Sequence, residues 1–266
     1  MALASRLAIL VGGIGGLGSV TGKLLHSQGA KLALLYAPFE KQKVTPTLQE
    51  IYNQDGPSPD ISTYECDITS ADSVTAAFAS ISKDNHAFPS ILVNTAGYVN
   101  LQPLESFPVD DILRHYMVNL HGPTLTGQAF AKLYFAASKI ASDANRPVPG
   151  GRIVNIASQA AHIALRHHGP YCASKAGLIG LTKCMASEWG PRGITANSIS
   201  PGPVMTELGK KAWGDPQVAA DYLAAVPTGQ FAEPEEVARI VDFLVKDEAR
   251  NTNGADVRLD GGFTVR

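Results

Sequence analysis

Long apolar runs and blocks of like charge are missing from this chain of 266 residues. Nowhere do 18 consecutive apolar residues occur, so the sequence predicts no transmembrane helix. The formal net charge is −2, and without a basic stretch the chain lacks the electrostatic footprint of a protein that binds nucleic acid or an anionic membrane. These absences favour a cytoplasmic globular protein.

Cysteine is scarce as well: Cys66, Cys172 and Cys184 are odd in number and form no C-x-x-C pair. Free thiols in a reducing compartment are therefore expected rather than a disulfide. The apolar run 7–11 is too short for the apolar segment of a signal peptide. It is interpreted as the first buried strand.

No metal site is expected either. Three histidines, His162, His167 and His168, lie close together in the sequence, and adjacent histidines can indicate a metal ligand set. No carboxylate or cysteine accompanies them at ligand spacing. A solvated or substrate-facing loop at the rim of a pocket is therefore favoured.

Short apolar, β-branched runs alternate with segments of helical periodicity along the chain. Strands are predicted at 7–11, 31–36, 61–66, 91–94, 151–157, 195–199 and 256–259. Helices are predicted near 17–28, 40–54, 70–84, 109–142, 170–190 and 234–247. Near-continuous apolar strands separated by helices indicate a parallel sheet covered on both faces. With right-handed crossovers this is a single Rossmann-like, doubly wound α/β domain over residues 1–266.

One long stretch, about 201–234, departs from this alternation, apart from a short helix expected around 217–225. Long loops in compact domains are usually functional or disordered. This one follows the carboxyl end of a predicted strand, which is where ligands bind in such sheets. It is interpreted as a lid over the substrate, with a passive surface loop as the alternative.

A glycine-rich segment, 12–18, follows the first predicted strand directly and opens a helix. Glycines permit a tight turn and let the backbone approach a pyrophosphate, whose charge the helix N-terminus stabilises. The position between strand and helix favours a dinucleotide site over the alternative, a purely structural turn.

Tyr171 and Lys175 are four residues apart in a helix expected to begin near Pro170, so they lie on one face. A phenol has an unperturbed pKa of about 10, and a nearby ammonium favours the phenolate and lowers that pKa. Ser158, at the end of the apolar run 152–158, could hold a carbonyl oxygen against the phenol. The three residues predict a proton-transfer site for carbonyl or alcohol chemistry. The alternative for the pair alone is a solvated helix face.

Further motifs accompany these residues in the same order: Asn94-Thr95-Ala96-Gly97, Asn119, Pro201-Gly202-Pro203-Val204-x-Thr206 and Asp260-Gly261-Gly262. Together they span residues 7–262, and on them the chain resembles the short-chain dehydrogenase/reductase family of the compact type. Two positions depart from the family pattern. Val11 stands where threonine is frequent, which removes a hydrogen bond that would brace the glycine turn, and Thr95 replaces a frequent asparagine.

The resemblance implies a nicotinamide dinucleotide cofactor and assigns its contacts. Gly12, Gly16, Leu17 and Gly18 would line the pyrophosphate. Asp67 and Ile68 would contact the adenine, and Asn94, Ala96 and Gly97 the adenosine side. Pro201, Gly202, Val204 and Thr206 would border the nicotinamide. Two alternatives remain: Asp67 could cap the helix that begins near Ser70, and Pro201-Gly202 could be a simple turn.

The end of the second strand bears on the choice of nicotinamide cofactor, because an acid there would repel a 2′-phosphate. No acid occurs there before Glu40, and Lys41 and Lys43 follow closely. Tyr36 could stack near the adenosine phosphate, and Lys41 could pair with it. NADP(H) is therefore expected, with NAD(H) as the alternative. Both lysines could instead be solvated helix residues.

The resemblance also implies the reaction: hydride transfer that interconverts a ketone and a secondary alcohol. Tyr171 would give or take the proton, and Ser158 would orient the substrate oxygen. Lys175 would tune the tyrosine and hold the nicotinamide ribose, and Asn119 would keep a proton-relay water chain in place. Polyols, ketoacyl groups and polyketide-like ketones all fit as substrates.

Two other functions stay open: a non-catalytic nucleotide-binding scaffold, and epimerisation or dehydration through a tightly held cofactor. Family members commonly form homodimers or homotetramers. The resemblance implies that they pack through the helices near 109–142 and 170–190.

Overall fold

Seven parallel strands form one sheet in the computed structural model, which describes residues 2–85 and 87–265. The strands are β1 (Arg6–Val11), β2 (Lys31–Tyr36), β3 (Ile61–Glu65), β4 (Phe88–Asn94), β5 (Gly151–Ile156), β6 (Ile194–Pro201) and β7 (Asp256–Leu259). Their order in the sheet is β3-β2-β1-β4-β5-β6-β7, and every neighbouring pair is parallel. The order in which the strands are added thus reverses between β1 and β4, which is the switch point of a doubly wound sheet.

Helices connect the strands and cover the sheet. They are α1 (Gly16–Ser27), α2 (Val44–Tyr52), α3 (Ala71–Asp84), α4 (Val109–Tyr116), α5 (Gly122–Asp143), α6 (Gly169–Trp189), α7 (Glu207–Ala212), α8 (Pro216–Leu223) and α9 (Pro234–Val245). None of the helices in the described ranges combines the length and the apolar composition that crossing a bilayer requires.

Each face of the sheet has its own apolar core, because alternate residues of a strand point to opposite faces. From β1, Ala8 and Leu10 pack with α1, α2 and α9 on one face. Leu7 and Ile9 pack with α3, α5 and α6 on the other. Burial on both sides explains why β1 and β5 consist of residues that are all buried. The α/β sheet predicted from the sequence is confirmed.

The long helix predicted over 109–142 is interrupted in the structure. α4 ends at Tyr116, a π-helical turn spans Met117–His121, and α5 follows. The periodicity continues through the break, since a π turn adds to the helix without ending it. The helix predicted over 40–54 likewise begins with a 3-10 segment, Pro38–Lys43, before α2.

In the segment 201–234, α8 corresponds to the short helix predicted near 217–225. The sequence did not predict α7, which has only six residues and contains Gly209. Thr206 makes it possible, because its side chain accepts a hydrogen bond from the Gly209 N–H and so caps the helix.

Candidate active site

The sequence motifs meet at one edge of the sheet, where parallel strands present their carboxyl ends. The glycine segment 12–18 follows β1, the segment 95–98 follows β4, and Ser158 follows β5 by two residues. Thr95 N and Ala96 N both donate to the Val11 carbonyl, which joins the first two segments at the switch point. Ligands of doubly wound sheets bind at this place.

The glycine turn requires glycine at two positions. Gly12 has a φ of +77°, a conformation that side chains disfavour. A Cβ on Gly18 would collide with the Gly12 carbonyl oxygen. Thr95 braces the turn, because its Oγ1 donates to the Val11 carbonyl at 2.7 Å. The sequence interpretation regarded Val11 as the loss of a brace, whereas the hydroxyl of Thr95 supplies one from the neighbouring strand.

The first turn of α1 suits a diphosphate. Its N-cap is Gly15, and no side chain caps the N–H groups that follow. Such groups and the helix dipole together form an anion site. A Cβ on Gly16 would lie 2.9 Å from Thr206 Cβ, so the segment after β6 closes on the glycine turn. The residues therefore fit the pyrophosphate of a dinucleotide.

Asn94 turns its side chain away from this edge. Its Nδ2 donates to Asn155 Oδ1 at 2.8 Å, and its Oδ1 accepts from Thr126 Oγ1 at 2.8 Å. The side chain is only 2% exposed and links β4, β5 and α5. Asn94 can therefore contact a cofactor through its backbone rather than through its side chain.

Asp67 and Ile68 lie between β3 and α3. Asp67 Oδ1 accepts from the N–H and the hydroxyl of Thr69 at 2.9 and 2.7 Å, which braces the turn. The helix cap is Ser70, whose hydroxyl accepts from Ser73 N, so the cap alternative for Asp67 is wrong. Ile68 packs against the place where Gly122 begins α5.

Two acids lie closer to the end of β2 than the sequence suggested. The Glu40 carboxylate folds back and accepts from Ala37 N at 3.2 Å. Glu65, at the end of β3, pairs with Lys41 at 3.4 Å, and both side chains are largely exposed. Tyr36 is half-buried against the core. The adenosine end of the site thus combines one lysine with two carboxylates.

Ser158, Tyr171 and Lys175 come together beside β5. The Ser158 hydroxyl lies close enough to the Tyr171 phenol to lower its pKa, and it accepts a hydrogen bond from Ala160 N at 3.2 Å. Lys175 Nζ lies 5.8 Å from the centre of the Tyr171 ring and donates to the Ile156 carbonyl at 2.7 Å. α6 presents the tyrosine and the lysine on one face because they are four residues apart, and Pro170 occupies its first turn.

Burial dominates the electrostatics of this pair. It raises the pKa of Tyr171, an effect that the nearby Ser158 hydroxyl partly offsets and that the Cys172 thiol reinforces. Burial also lowers the pKa of Lys175 from 10.5 to about 8. The sequence interpretation expected the lysine to lower the pKa of the phenol. In the structure that pKa is raised, because the ammonium faces a backbone carbonyl and the phenol is removed from water.

Asn119 lies in the π-helical turn Met117–His121 and is fully buried. Its Oδ1 accepts from Tyr98 N at 2.7 Å, and its Nδ2 donates to Tyr98 O at 2.8 Å and to Ser174 Oγ at 3.0 Å. The side chain thus clamps the backbone after β4 to α6. Both hydrogens of its Nδ2 are thus used within the protein and are not free for the water chain that the family resemblance implies.

A group of polar residues on α4 contacts the same segment, and the sequence interpretation missed it. Asp111 accepts from the Tyr98 hydroxyl and from Asn100 Nδ2, each at 2.8 Å. These two hydrogen bonds lower the pKa of Asp111. His115 follows one turn later. The signal was present as polar residues at 111, 115 and 119, a spacing that places them on one helical face.

The segment after β6 contacts Gln159, the residue that follows Ser158. Tyr222 of α8 donates its hydroxyl to Gln159 Oε1 at 3.0 Å. The Tyr222 ring stacks on Phe231 and Phe263, with ring centres 5.7 and 4.9 Å apart, and burial raises its pKa to about 12. A Cβ on Gly202 would lie 3.1 Å from Gln159 Oε1. The lid expected from the sequence thus contacts the residue next to Ser158.

Two of the three histidines of the loop 159–168 have separate side-chain partners, and the backbone carbonyl of His167 accepts from Gln102 N at 3.2 Å. His162 Nε2 lies 2.8 Å from Asp256 Oδ2 on β7. His168 Nδ1 lies 2.7 Å from the Arg166 carbonyl, and the His168 ring centre is 6.1 Å from that of Tyr171. Within the part of the chain that the structure describes, no three His, Cys, Asp or Glu residues are grouped as metal ligands.

Comparisons with known proteins agree with this geometry. A family model described as Enoyl-(Acyl carrier protein) reductase matches residues 12–264. D-threitol dehydrogenase of Mycolicibacterium smegmatis is 36% identical over 264 residues, which cover 99% of this chain and 95% of the relative. NAD-dependent glycerol dehydrogenase of Listeria innocua is 34% identical, covering 99% and 96%. The solved structure of a short-chain dehydrogenase/reductase from Serratia marcescens superposes with a TM-score of 0.84 at 28% identity, covering 99% and 100%.

Proposed function

The chain belongs to the short-chain dehydrogenase/reductase family, whose members are oxidoreductases that act on CH–OH and C=O groups, and we propose that it interconverts a ketone and a secondary alcohol. The observation that carries the proposal is the meeting of Ser158, Tyr171 and Lys175 beside a glycine turn that fits a diphosphate. The cofactor bound there is a nicotinamide dinucleotide, which supplies or takes up the hydride.

The residues proposed to hold the cofactor lie along the carboxyl edge of the sheet, from β3 to β6. The proposed contacts are the pyrophosphate with Gly12, Gly16, Leu17 and Gly18, the adenosine with Tyr36, Lys41, Asp67, Ile68, Asn94, Ala96 and Gly97, and the nicotinamide end with Tyr171, Lys175, Pro201, Gly202, Val204 and Thr206. The uncapped first turn of α1 supports the first group. The approach of Thr206 to Gly16 supports the last, because it brings the segment after β6 next to the proposed pyrophosphate contacts.

Tyr171 is the general acid and base. In reduction its phenol donates a proton to the substrate oxygen, and Ser158 hydrogen-bonds the same oxygen. The raised pKa keeps the phenol protonated at neutral pH, which is the form that reduction needs. Lys175, with its pKa lowered to about 8, is a ready source of the proton that restores the phenol. Oxidation of the alcohol runs through the phenolate, so it is favoured by higher pH.

Small polyols and the matching hydroxyketones are the proposed substrates. The relatives named for D-threitol and for glycerol support this choice, since they match almost the whole chain. The lid contributes the Tyr222 hydroxyl, which bonds the residue next to Ser158, and the loop contributes His168, whose ring centre is 6.1 Å from that of Tyr171. Such groups suit a substrate with several hydroxyls.

NADP(H) is the proposed cofactor, because β2 ends at Tyr36 without an acid and Lys41 lies nearby. A 2′-phosphate would compete with Glu65 for the Lys41 ammonium. NAD(H) is the second candidate, and a specific observation favours it. The carboxylate of Glu40 folds back to the end of β2, where it would accept from a 2′-hydroxyl and repel a phosphate.

The segment 201–234 is the proposed lid of a single catalytic domain, and the proposed assembly is a homodimer or homotetramer. Exposed apolar residues on α4 support the assembly, since Val109 and Leu113 are 69% and 54% exposed on one face. Light scattering on the purified protein measures the assembly. A monomer at micromolar concentration would contradict this part.

The experiment for the function is a steady-state assay of NADPH and NADH oxidation against dihydroxyacetone, erythrulose and larger ketoses, with a simple aliphatic ketone for comparison. Turnover that requires an intact Tyr171 supports the proposal. Equal activity in the Tyr171→Phe variant, or no turnover with any ketone, would overturn it.

A further inference from the structure

His115 occupies the last turn of α4 and has none of its surface exposed to solvent. A polar ring so fully buried needs hydrogen-bond partners for both nitrogens. His115 belongs neither to the proposed cofactor contacts nor to the proposed catalytic set of Asn119, Ser158, Tyr171 and Lys175.

The partners of His115 fix its protonation state. Nε2 lies 3.0 Å from the backbone N of Asn100, which can only donate. Nδ1 lies 2.6 Å from the Asp111 carbonyl oxygen, which can only accept. The ring is therefore neutral, with its proton on Nδ1. A second proton would set two N–H groups facing each other at Asn100.

The ring also forms part of an aromatic enclosure. Its centre is 4.8 Å from that of Tyr98, 5.6 Å from that of Phe107 and 6.3 Å from that of Tyr171, and all three contacts are edge-on. His115 thus neighbours both the Tyr171 ring and Tyr98 in the segment after β4. Arg114 stacks on the Tyr98 ring at 4.5 Å, and Asp111 bonds the Tyr98 hydroxyl.

Three hydrogen-bonding residues on one helical face hold the same short segment. Asn119 grips both backbone groups of Tyr98, His115 accepts from Asn100 N, and Asp111 accepts from the Asn100 side chain. The segment carries Gly97, where a Cβ would come within 3.6 Å of Lys175 Nζ. A shift of this segment would therefore reach both the phenol and the lysine.

We propose that His115 is a positioning residue of the reaction: as a neutral imidazole it fixes the segment 97–100 and the Tyr171 ring relative to each other. The proposal rests on the proposed function, in which Tyr171 transfers the proton. His115 positions the segment mainly through the hydrogen bond that it accepts from Asn100 N, and its aromatic packing contributes less. Misplacing a catalytic group by about 1 Å can reduce turnover about 10²-fold.

Two substitutions separate the hydrogen bond from the packing. His115→Phe keeps a buried aromatic ring and loses both hydrogen bonds. His115→Gln loses the ring but can present its amide oxygen to Asn100 N at the place of Nε2. If His115 positions the site, kcat per folded molecule falls about 10- to 100-fold in His115→Phe, and His115→Gln retains more of it. If His115 only fills space, His115→Phe is the better variant.

The measurements are kcat, substrate KM and cofactor Kd, taken at a temperature where circular dichroism shows each variant folded. The matched control is His26→Phe, because His26 Nδ1 also lies near a backbone carbonyl, that of Ala30, at the far end of α1. The expected result is a loss mainly in kcat, with a smaller rise in cofactor Kd because Gly97 lies in the same segment, and with the His26→Phe variant equal to wild type.

Wild-type kcat in His115→Phe, or a loss in His115→Gln that exceeds it, would overturn the proposal. Should His115→Phe fail to fold, His115→Asn replaces it, since it keeps a donor for Asp111 and loses the acceptor for Asn100; wild-type kcat there overturns the proposal as well. The Tyr171→Phe variant is assayed in parallel. If Tyr171→Phe is inactive and His115→Phe is fully active, only this inference is contradicted. If Tyr171→Phe is active, the proposed function is contradicted.

Discussion

Lys175 Nζ donates a hydrogen bond of 2.7 Å to the carbonyl oxygen of Ile156, the last residue of β5. The bond ties α6 to the sheet at this edge, and Lys175 is only 4% exposed. Burial lowers its pKa from 10.5 to about 8. A charge kept in such a place destabilises the fold, which is expected where the reaction needs it.

Replacing Lys175 with methionine should therefore raise stability while it removes activity. The change in pKa from 10.5 to about 8 corresponds to about 3 kcal/mol at neutral pH. Between those two values the unfolded chain binds a proton that the folded protein does not, so wild-type stability rises with pH across that window. The gain of Lys175→Met is full below pH 8 and shrinks above it.

Urea unfolding of wild type and Lys175→Met at pH 7 and pH 10 checks this expectation. Lys132→Met, on the exposed side of α5, is the control and should change stability little at either pH. A Lys175→Met variant that is less stable than wild type at pH 7 would show that the ammonium stabilises the fold.

Removing the Thr95 hydroxyl should loosen the glycine turn. Thr95→Val loses the bond of 2.7 Å to the Val11 carbonyl, at a cost of about 1 kcal/mol in stability. Because the turn holds the pyrophosphate, cofactor Kd should rise as well. The control is Thr75→Val, which loses a 2.8 Å bond to the Ala71 carbonyl on exposed α3. If cofactor Kd is the same in Thr95→Val and Thr75→Val, the Thr95 hydroxyl does not contribute to cofactor binding.

Adding one methyl group at Gly16 should block the cofactor without unfolding the protein. The new Cβ would lie 2.9 Å from Thr206 Cβ and Cγ2. Isothermal titration should show a loss of NADPH and NADH binding in Gly16→Ala, partly restored by adding Thr206→Ala. Gly180→Ala is the control, since its Cβ meets nothing within 4 Å, and its helical position should gain about 1 kcal/mol.

Cofactor choice is tested at Lys41. Lys41→Ala should weaken NADPH binding several-fold and leave NADH binding unchanged, because only the 2′-phosphate would use this ammonium. Glu65→Gln should have the opposite effect on NADPH, since Glu65 pairs with Lys41 at 3.4 Å. If Glu40→Gln alone improves NADPH binding and Lys41→Ala does nothing, NAD(H) is the natural cofactor.

The sequence was sufficient for the sheet and for the central cluster. Continuous apolar runs such as β1 fix which segments are strands, and the spacing of Tyr171 and Lys175 places them on one helical face. Carboxyl ends of parallel strands lie at one edge of the sheet, so the glycine segment and Ser158 were expected at the same edge.

The parts that could not be predicted depend on how loops return. The Glu40 carboxylate reaches Ala37 N only because a 3-10 turn folds it back. Thr95 braces the glycine turn by bonding the Val11 carbonyl, although the two residues are 84 positions apart in the sequence. The polar face of α4 contacts the segment 97–100, and the path of that segment cannot be predicted from sequence periodicity. The raised pKa of Tyr171 reflects burial, which the four-residue spacing does not reveal.

The most direct test of the account is kcat of Tyr171→Phe with the best ketose of the panel, measured beside its nucleotide Kd. We expect turnover to fall about 10²- to 10⁴-fold, since the general acid is lost, while nucleotide Kd stays within about twofold of wild type because Lys175 and the glycine turn remain. Tyr64→Phe, which loses a hydroxyl near Asp84 and Asn85 far from the site, should keep wild-type turnover. A Tyr171→Phe variant that reduces the ketose as fast as wild type would contradict the account.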